Sequence, residues 1–359
     1  MAWRIRCSPS LRAEVLLALG EVSGDAADLY ILDADDTCNV PREGEAGVPV
    51  LSIGSVNQRL ACLQAGADAF LSFPLLPAEL TAQVHALIRR KREQDRLLER
   101  SHEAHQLHER LQEAYHQIDL ELALAQRLQA SFLPQSLPQV PHIRFAVHYL
   151  LCGRVGGDFY DTFRLDEKHV GFYVADAMGH GVPASLLTIF VKKGVRTKEV
   201  FGNQYRLIPP DEVLERLNRD LIDQQLSEQP FITMVYGLLN HQDGTVRLAR
   251  AGHPFPLLVP REGELSLWKP RGMLLGIQDA AFPCITHHLA PGDKLLLYTD
   301  GVDYARFGSQ PAGIDSLLAC AEVYRGLPAS DFVAALSQEL FANNPPADDL
   351  TLLALERSE

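Results

Sequence analysis

Short turns that contain aspartate, three of them together with glycine, recur beyond residue 155 of this chain, and they constrain the fold more than any other feature. The turns read G-G-D-F-Y-D (156–161), V-A-D-A-M-G-H-G (174–181), L-L-L-Y-T-D-G (295–301) and P-A-D-D-L-T (346–351). Three of them border runs of apolar, β-branched or aromatic residues, which is the pattern of a strand that ends in a turn. The sequence therefore predicts strands whose ends carry carboxylates.

Carboxylates that several strand ends bring together repel one another in a site of low dielectric constant. A divalent cation is the usual compensation. Oxygen ligands favour Mg²⁺ or Mn²⁺ over zinc, which prefers cysteine and histidine. The residues alone therefore predict a hydrolase that uses two divalent cations, Mn²⁺ or Mg²⁺.

Length and composition narrow the class of protein. A chain of 359 residues predicts two or three domains. The excess of 46 acidic over 33 basic residues, a net charge of −13, argues against a nucleic-acid partner. The six cysteines lack metal-binding spacing, and the sequence shows neither a signal-peptide core nor an apolar run long enough to span a membrane. We expect a cytoplasmic protein with free thiols and no membrane contact.

Three regions differ in their sequence patterns. Residues 1–85 alternate strand and helix signals, which predicts a small parallel α/β sheet with helices on both faces. Residues 86–133 are highly charged and contain neither glycine nor proline, so we expect a helical linker. Residues 140–359 alternate many strands with a few helices, one of them expected over 182–200, which predicts an α+β sandwich of antiparallel strands.

Apolar or small residues recur in the linker at seven-residue steps. They are Leu97, Ala104, Leu111, Ile118 and Ala125. This spacing fits a coiled coil that joins two copies of the chain into a homodimer. A single solvated helix between two domains remains the alternative, because Ser101 and His108 occupy core-like positions.

The motifs, taken in order, resemble those of a known family. From residue 124 onward the chain shows L-A-Q-R-L-Q followed by F-L-P, then G-G-D-F-Y-D, D-A-M-G-H-G-V-P-A-S, A-G-H-P-F-P, P-G-D-K-L-L-L-Y-T-D-G and D-D-L-T. These are similar to the bacterial PPM phosphatases of the stage II sporulation E and sigma-factor-regulator type. The resemblance implies a phosphatase domain of two antiparallel β-sheets flanked by helices, with two Mn²⁺ or Mg²⁺ ions at one end.

The resemblance also implies ligands for those ions. Asp176 is expected to bridge the two metals, and the backbone carbonyl of Ala177 to face one of them. Asp300 is expected to hold one ion directly. An aspartate in a turn often only caps backbone amides, which is the structural alternative at every such position.

The remaining aspartates of the motifs are expected to complete the same site. Asp348 matches the last ligand of the family better than its neighbour Asp349, because Thr351 then falls at the expected offset. Asp158 and Asp161 are expected to bind the metal ions, either directly or through a water molecule. Together with Asp176 and Asp300, Asp158 and Asp348 make up the predicted catalytic set.

Three further side chains lie in or beside these motifs. Arg154 precedes Asp158 by four residues and could clamp a phosphate, or be an ordinary surface arginine. His180 lies beside the predicted bridging ligand and could support it, whereas His253 is expected to organise its turn.

Residues 1–85 resemble a response-regulator receiver domain. The segment A-D-L-Y-I-L-D is similar to the strand that presents the phosphoacceptor, which places Asp33 at that position. Phe73 occupies the position where that family has a lysine, and no acidic pair follows the first strand. We expect a degenerate receiver-like domain that signals by contact with an upstream protein partner.

The expected function is a metal-dependent protein serine/threonine phosphatase, controlled through its N-terminal domain and helical linker. The resemblance implies that its substrate is a phosphorylated anti-anti-sigma protein of the STAS type. A pseudophosphatase scaffold that binds sigma-factor regulators without catalysis is one alternative. A hydrolase of small phosphoesters is the other.

Overall fold

The computed structural model describes most of the chain as two compact units, Met1–Tyr115 and His116–Glu359. The residues described are 3–6, 8–19, 28–35, 47–179, 181–226, 229–304, 306–307, 310–311, 313–341 and 348–358. Within them no helix combines the length and the apolar character needed to cross a membrane. Cys62, Cys152, Cys284 and Cys320 are free thiols.

The first unit contains a four-stranded parallel sheet with the strand order β1-β2-β3-β4. The strands are β1 (Trp3–Arg6), β2 (Leu29–Asp33), β3 (Val50–Gly54) and β4 (Ala69–Ser72). The helices are α1 (Pro9–Leu19), α2 (Arg59–Gln64) and the first part of α3 (Pro77–Phe132). Parallel strands need such crossover helices between them, and the helices then cover the sheet.

Apolar side chains cover both faces of this sheet. On one face Leu11 of α1 and Leu80 of α3 belong to one buried cluster with Ile31. On the other face Cys62 of α2 packs with Tyr30 and neighbouring residues. The predicted parallel α/β sheet with helices on both faces is confirmed.

Helix α3 is a single helix of 56 residues, although the sequence patterns suggested separate segments on either side of residue 86. Between its first residue and Pro134 the chain contains no glycine or proline that could end it. Beyond residue 88 many of its apolar side chains stay exposed, among them Leu97, Leu111 and Ile118 at 56%, 51% and 52%.

The second unit is a sandwich of two five-stranded antiparallel sheets. Sheet I has the order β14-β11-β10-β7-β6, and sheet II has the order β13-β12-β15-β18-β5. Sheet I consists of β6 (Asp158–Arg164), β7 (His169–Ala177), β10 (Ile232–Asn240), β11 (Thr245–Ala251) and β14 (Ile285–His288). Sheet II consists of β5 (Ile143–Leu150), β12 (Leu257–Val259), β13 (Ser266–Leu267), β15 (Lys294–Tyr298) and β18 (Leu350–Arg357).

Three apolar layers hold the sandwich together. Between the sheets, Phe172 and Val174 of sheet I pack in one cluster with Leu297 and Leu353 of sheet II. Helices α4 (Val182–Gly194) and α5 (Pro210–Asp223) cover the outer face of sheet I. Helices α6 (Gly313–Tyr324) and α7 (Ala329–Phe341) cover the outer face of sheet II. The predicted α+β fold, with two antiparallel sheets flanked by helices, is confirmed.

The helix predicted over 182–200 is shorter than expected. It ends at Gly194, and the chain then forms a hairpin of β8 (Lys198–Phe201) and β9 (Gln204–Leu207). A Cβ atom at Gly194 would lie 2.7 Å from Leu217 Cδ1, so glycine lets α4 approach α5 closely. A second short hairpin joins β16 (Arg306–Phe307) to β17 (Gln310–Pro311).

Candidate metal centre

Four strand ends from the two sheets meet at one end of the sandwich. In sheet I, Asp176 near the end of β7 is the register partner of Asp158, the first residue of β6. In sheet II, Asp300 begins a 3-10 turn just after β15, and Asp348 and Asp349 come just before β18. Because β15 and β18 are antiparallel neighbours, the end of one lies beside the start of the other.

Asp158 joins the two sheets through one of its carboxylate oxygens. The side chain is 1% exposed, and Oδ2 accepts hydrogen bonds from Thr299 Oγ1 at 2.7 Å and from Thr351 Oγ1 at 2.6 Å. The backbone N–H of Thr351 donates in turn to Thr299 Oγ1 at 2.9 Å. The roles of both threonines were missed from the sequence. The available signal was that each lies inside an aspartate motif, in T-D-G and D-D-L-T.

The carboxylates raise one another's proton affinity. Burial, and then the charges of Asp300, Asp348 and Asp349, raise the pKa of Asp176 to about 8. Burial and the charge of Asp176 raise the pKa of Asp158 well above its usual range, although the threonine hydrogen bonds oppose this. None of the main causes of either shift is a lysine or an arginine. Among the described residues no ion pair compensates these charges, so a proton is harder to remove from Asp176 than from an ordinary aspartate.

Asp349 and Asp348 are adjacent in the chain but have different surroundings. Asp349 is buried, and its two carboxylate oxygens accept the backbone N–H groups of Cys152 at 2.9 Å and Gly157 at 2.7 Å. It thereby holds the loop that leads into β6. Asp348 is less buried, and its Oδ1 accepts only the N–H of Asp349 at 2.8 Å among the described donors. Asp348 has more free oxygen capacity for a cation.

Glycine lets the loop before β6 approach the turn after β7 backbone to backbone. A Cβ atom at Gly157 would lie 2.5 Å from the Ala177 carbonyl oxygen and 2.9 Å from that of Gly179. Ala177 N also donates to Gly157 O at 3.0 Å. The predicted carbonyl ligand, Ala177, therefore belongs to the same turn as Asp176 and packs beside the carboxylate cluster.

Cys152 adds a thiol to the edge of the cluster, which the sequence motifs did not indicate. Ligand atoms of Cys152, Asp348 and Asp349 lie within 4.8 Å of one another. Burial, together with the charge of Asp349, raises the pKa of the thiol to about 11, so it is neutral at physiological pH. A neutral thiol is a poor ligand for hard cations.

These donors fit divalent cations of the Mg²⁺ or Mn²⁺ class. The set consists of carboxylate oxygens with raised proton affinity and a nearby backbone carbonyl, which suits hard ions. Asp176 and Asp300 would hold such a cation, whose positive charge would favour the ionised form of both carboxylates.

Two of the predicted residues make other contacts. Asp161 lies three residues beyond Asp158 on β6, so its side chain points to the opposite face, where it forms an ion pair with Lys192 of α4. The expectation that Asp161 completes the metal site is therefore wrong. Arg154, the predicted phosphate clamp, forms an ion pair with Asp119 of α3 at 2.5 Å.

The two histidines of the motifs and Asp33, the expected phosphoacceptor, lie in different surroundings. His253 is fully buried, and its Nδ1 lies 2.9 Å from Thr233 Oγ1, the register partner of Asp176. His180 lies outside the described residues. Asp33 is the last residue of β2 and is partly exposed; its Oδ2 lies 3.5 Å from the N–H of Ser8.

The order of the motifs and the sandwich point to one protein family. A family model described as Stage II sporulation protein E (SpoIIE) matches residues 166–358, just over half of the chain. The chain belongs to the stage II sporulation protein E family. The resemblance inferred from the motifs of the second unit is thereby confirmed. The matched residues include Asp176, Asp300, Asp348 and Asp349, whereas Asp158 precedes them.

Two curated relatives from Bacillus subtilis (strain 168) are named phosphoserine phosphatases. RsbU is 27% identical over 258 residues, which cover 71% of this chain and 75% of RsbU. RsbP is 25% identical over 186 residues, which cover 51% of this chain and 45% of RsbP. The match to RsbP thus spans less than half of that protein's length.

Solved structures show the same fold. A structure of the RsbU and RsbW domains of a Mycobacterium tuberculosis protein is 27% identical, with a TM-score of 0.55, and the match covers 63% of each chain. The SiaA-PP2C domain of Pseudomonas aeruginosa is 23% identical, with a TM-score of 0.56, and the match covers 68% of this chain and 98% of that one.

Proposed function

We propose that this protein is a metal-dependent protein serine/threonine phosphatase. One observation carries the proposal: carboxylates from both sheets meet at one end of the sandwich without a basic partner among the described residues. Burial and the neighbouring charges accordingly raise the pKa of Asp176. The names of the relatives RsbU and RsbP support the enzyme class. The arrangement resembles the two-cation centre expected from the motifs.

Each residue of the cluster has a role under this proposal. Asp176, Asp300 and Asp348 would hold two Mn²⁺ or Mg²⁺ ions, with Asp158 completing the set directly or through water. The backbone carbonyl of Ala177 would face one ion, and Asp349, although included in the expected ligand set, would mainly hold the loop before β6. When bound, such ions activate water and neutralise phosphate charge.

The other residues of the site position these ligands. Thr299 and Thr351 fix the orientation of the Asp158 carboxylate, because both donate to the same oxygen.

Arg154 would bind the substrate phosphate after leaving its ion pair with Asp119. That exchange costs little, because an exposed ion pair contributes only about 0–1 kcal/mol.

The substrate we propose is phosphoserine or phosphothreonine on a STAS-type anti-anti-sigma protein. The support is the family membership and the names of the two Bacillus relatives. The carboxylates are present at every motif position, which argues against a pseudophosphatase scaffold. A small phosphoester remains the competing substrate class.

Regulation through the helical linker has direct structural support within the second unit. Gln129, near the end of α3, is 2% exposed, and its Nε2 donates to the Gly156 carbonyl at 2.8 Å. Its Oε1 accepts the Gly156 N–H at 3.2 Å, and its Nε2 also donates to Thr188 Oγ1 of α4 at 3.3 Å. One side chain of the linker thus holds both the loop before Asp158 and the helix that follows the Asp176 turn.

The N-terminal part of the proposal rests on the α/β sheet of the first unit. We propose a receiver-like domain over 1–85, a linker over 86–133 and the phosphatase domain over 140–359, in a cytoplasmic homodimer. The strand order β1-β2-β3-β4 is what a doubly wound 2-1-3-4-5 sheet gives when its second strand is removed. Asp33 ends β2, the position expected for a phosphoacceptor, and an upstream protein would act at this domain.

The phosphatase assignment is tested by metal-dependent turnover of p-nitrophenyl phosphate. We expect hydrolysis that requires Mn²⁺ or Mg²⁺, stops with EDTA, and falls at least about a hundredfold in Asp176→Asn. The matched control is Asp279→Asn, which changes an exposed carboxylate outside the cluster. Wild-type protein that is inactive at every metal concentration would support the scaffold alternative instead.

The substrate is tested separately with a STAS-domain protein phosphorylated on serine. We expect a kcat/KM for this phosphoprotein well above that for p-nitrophenyl phosphate, and its loss in Asp176→Asn. Faster turnover of small phosphoesters than of any phosphoprotein would overturn the substrate but leave the phosphatase assignment in place.

A further inference from the structure

Exposed apolar side chains lie beside the carboxylate cluster, at the same end of sheet I. Each of them is between 39% and 61% exposed, and together we call them the apolar rim: Met178, Val182, Leu186, Met273 and Ile277. Single apolar residues are common on protein surfaces, whereas a contiguous group of them marks a place where another molecule binds.

The first part of the rim follows directly from the turn that carries Asp176. Met178 lies two residues beyond Asp176, and its N–H donates to the carbonyl of Phe231 at 3.0 Å, which continues the pairing of β7 with β10. Val182 is the first residue of α4, and Leu186 follows one helical turn later on the same side of the helix. The rim thus begins beside the expected bridging ligand and continues onto α4.

The second part of the rim lies on a segment that pairs with the start of β10. Ile232 and Leu275 exchange backbone hydrogen bonds at 3.2 and 3.0 Å, on the side of β10 away from β7. Leu275 is buried, whereas Met273 and Ile277 on either side of it are exposed. Neighbouring strands lie about 4.8 Å apart, so this segment lies roughly 10 Å from β7.

The opposite side of Asp176 is polar. The strand order β14-β11-β10-β7-β6 places β6 and β10 on opposite sides of β7. The loop before β6 carries the exposed residues Cys152 and Arg154, so the expected phosphate clamp and the segment with Met273 lie on opposite sides of the cluster. A molecule bound over the cations therefore meets a basic side chain on one side and the apolar rim on the other.

A phosphoserine side chain is short. Its phosphate reaches the carboxylate cluster only when the backbone of the protein substrate comes close, so the residues next to the phosphoserine must rest on the surrounding surface. We propose that the apolar rim docks the phosphoprotein substrate through apolar residues next to its phosphoserine or phosphothreonine. The inference rests on the proposed phosphatase function and adds the surface that distinguishes a protein from a small phosphoester.

The position of the rim favours a substrate over a second copy of the chain as its occupant. The rim is continuous with the turn that carries Asp176, so a second copy bound there would cover the approach to the cations. Two of its five residues are methionines, whose flexible side chains adapt to the shape of a bound protein.

The test compares two substrates of the full chain with Mn²⁺: a STAS-domain protein phosphorylated on serine and p-nitrophenyl phosphate. Met273→Ser with Ile277→Ser should raise the KM for the phosphoprotein at least about fivefold, since two apolar contacts leave the interface, and should keep kcat within about twofold. The kcat/KM for p-nitrophenyl phosphate should not change, because that molecule is too small to span the rim. Leu186→Ser should act in the same direction, and this most exposed position of the rim carries little risk to folding.

The matched control is Val323→Ser with Leu327→Ser, which also removes two exposed apolar side chains. These residues flank Arg325, whose carbonyl accepts a hydrogen bond from Lys294 at the start of β15, whereas Asp300 follows the end of that strand. The control pair therefore lies at the far end of the sandwich and should leave the kinetics of both substrates unchanged.

The possible outcomes separate the docking surface from the proposed function. An unchanged KM for the phosphoprotein in Met273→Ser with Ile277→Ser, or an equal rise of KM for both substrates, would overturn the docking surface alone. Wild-type protein that hydrolyses only p-nitrophenyl phosphate would overturn the docking surface together with the protein substrate. Inactivity toward both substrates would contradict the phosphatase assignment itself. Weaker self-association in sedimentation with an unchanged KM would assign the rim to a second copy instead.

Discussion

A single carboxylate oxygen of Asp158 holds the start of β6 in sheet I to the end of β15 and to β18 in sheet II. Aspartates could be selected from the sequence because their residue type and turn context indicate cation binding. Thr299 and Thr351 could not, because they lie 141 and 193 residues from Asp158, and no local pattern reports such a pairing. Asp161, by contrast, was selected although it does not belong to the cluster, because a shared motif does not indicate which face of the strand each side chain occupies.

His253 gives a prediction for stability as a function of pH. Burial, with a smaller effect of the nearby Arg250, lowers its pKa to about 3, whereas the unfolded chain has an ordinary histidine pKa near 6.5. Below pH 6.5 the unfolded state therefore binds a proton that the folded state excludes. The stability from this group is complete above pH 6.5 and is lost toward pH 3, at up to about 1.4 kcal/mol per pH unit.

The measurement is urea unfolding of the wild type and of His253→Asn between pH 7.5 and pH 5. As the pH falls, we expect the free energy of unfolding to decrease less in the variant than in the wild type. The difference between the two slopes should reach at most the value for uptake of about one proton. His116→Gln, an exposed histidine on α3, is the control and should keep the wild-type pH dependence. Parallel curves for the wild type and His253→Asn would contradict the assignment.

Helices α3 and α4 differ in how far the sequence predicts them. The long α3 follows directly from the absence of glycine and proline, because nothing interrupts the helix until Pro134. No periodicity in the sequence marks the end of α4 at Gly194 or reveals the tertiary contact of this residue with Leu217 of α5. The amide of Gln129 is a further example, since its partners lie 27 and 59 residues away.

Gln129→Ala tests whether α3 controls the site. The change leaves the N–H and C=O of Gly156 without their buried partner, which costs about 1–3 kcal/mol and loosens the loop that leads to Asp158. We expect the apparent affinity for Mn²⁺ to fall about tenfold or more, a loss of about 1.4 kcal/mol, with partial recovery of the rate at saturating metal.

Gln117→Ala provides the comparison for that experiment. Gln117 is exposed on the same helix and bonds only to Glu121 in the described structure, so its loss should leave the Mn²⁺ titration unchanged. If Gln129→Ala also titrates like the wild type, the linker does not act on the metal centre through this side chain.

Across the whole molecule, exposed apolar residues on α3 bear on assembly. Leu111 and Ile118 lie on the seven-residue stripe and are about half exposed, at 51% and 52%. A coiled coil would bury them against a second copy of the helix. Leu111→Asp with Ile118→Asp should therefore convert a dimer into a monomer in analytical ultracentrifugation.

The control for that change lies on the same helix but off the stripe. Leu98→Asp with Leu120→Asp replaces two other exposed leucines, at 70% and 52% exposure, and should leave the dimer intact. A wild-type protein that sediments as a monomer at all concentrations would favour the solvated linker helix.

Strand β18 has a consequence for how the protein matures on the ribosome. It is the last strand of the sandwich to be synthesised, yet it lies between β15 and β5, and Asp348, Asp349 and Thr351 arrive with it. Until then sheet II has a gap, and Asp158 lacks one of its two hydroxyl donors. A nascent chain therefore cannot bring Asp348, Asp349 and Thr351 to the other strand ends until nearly all of the sandwich has emerged.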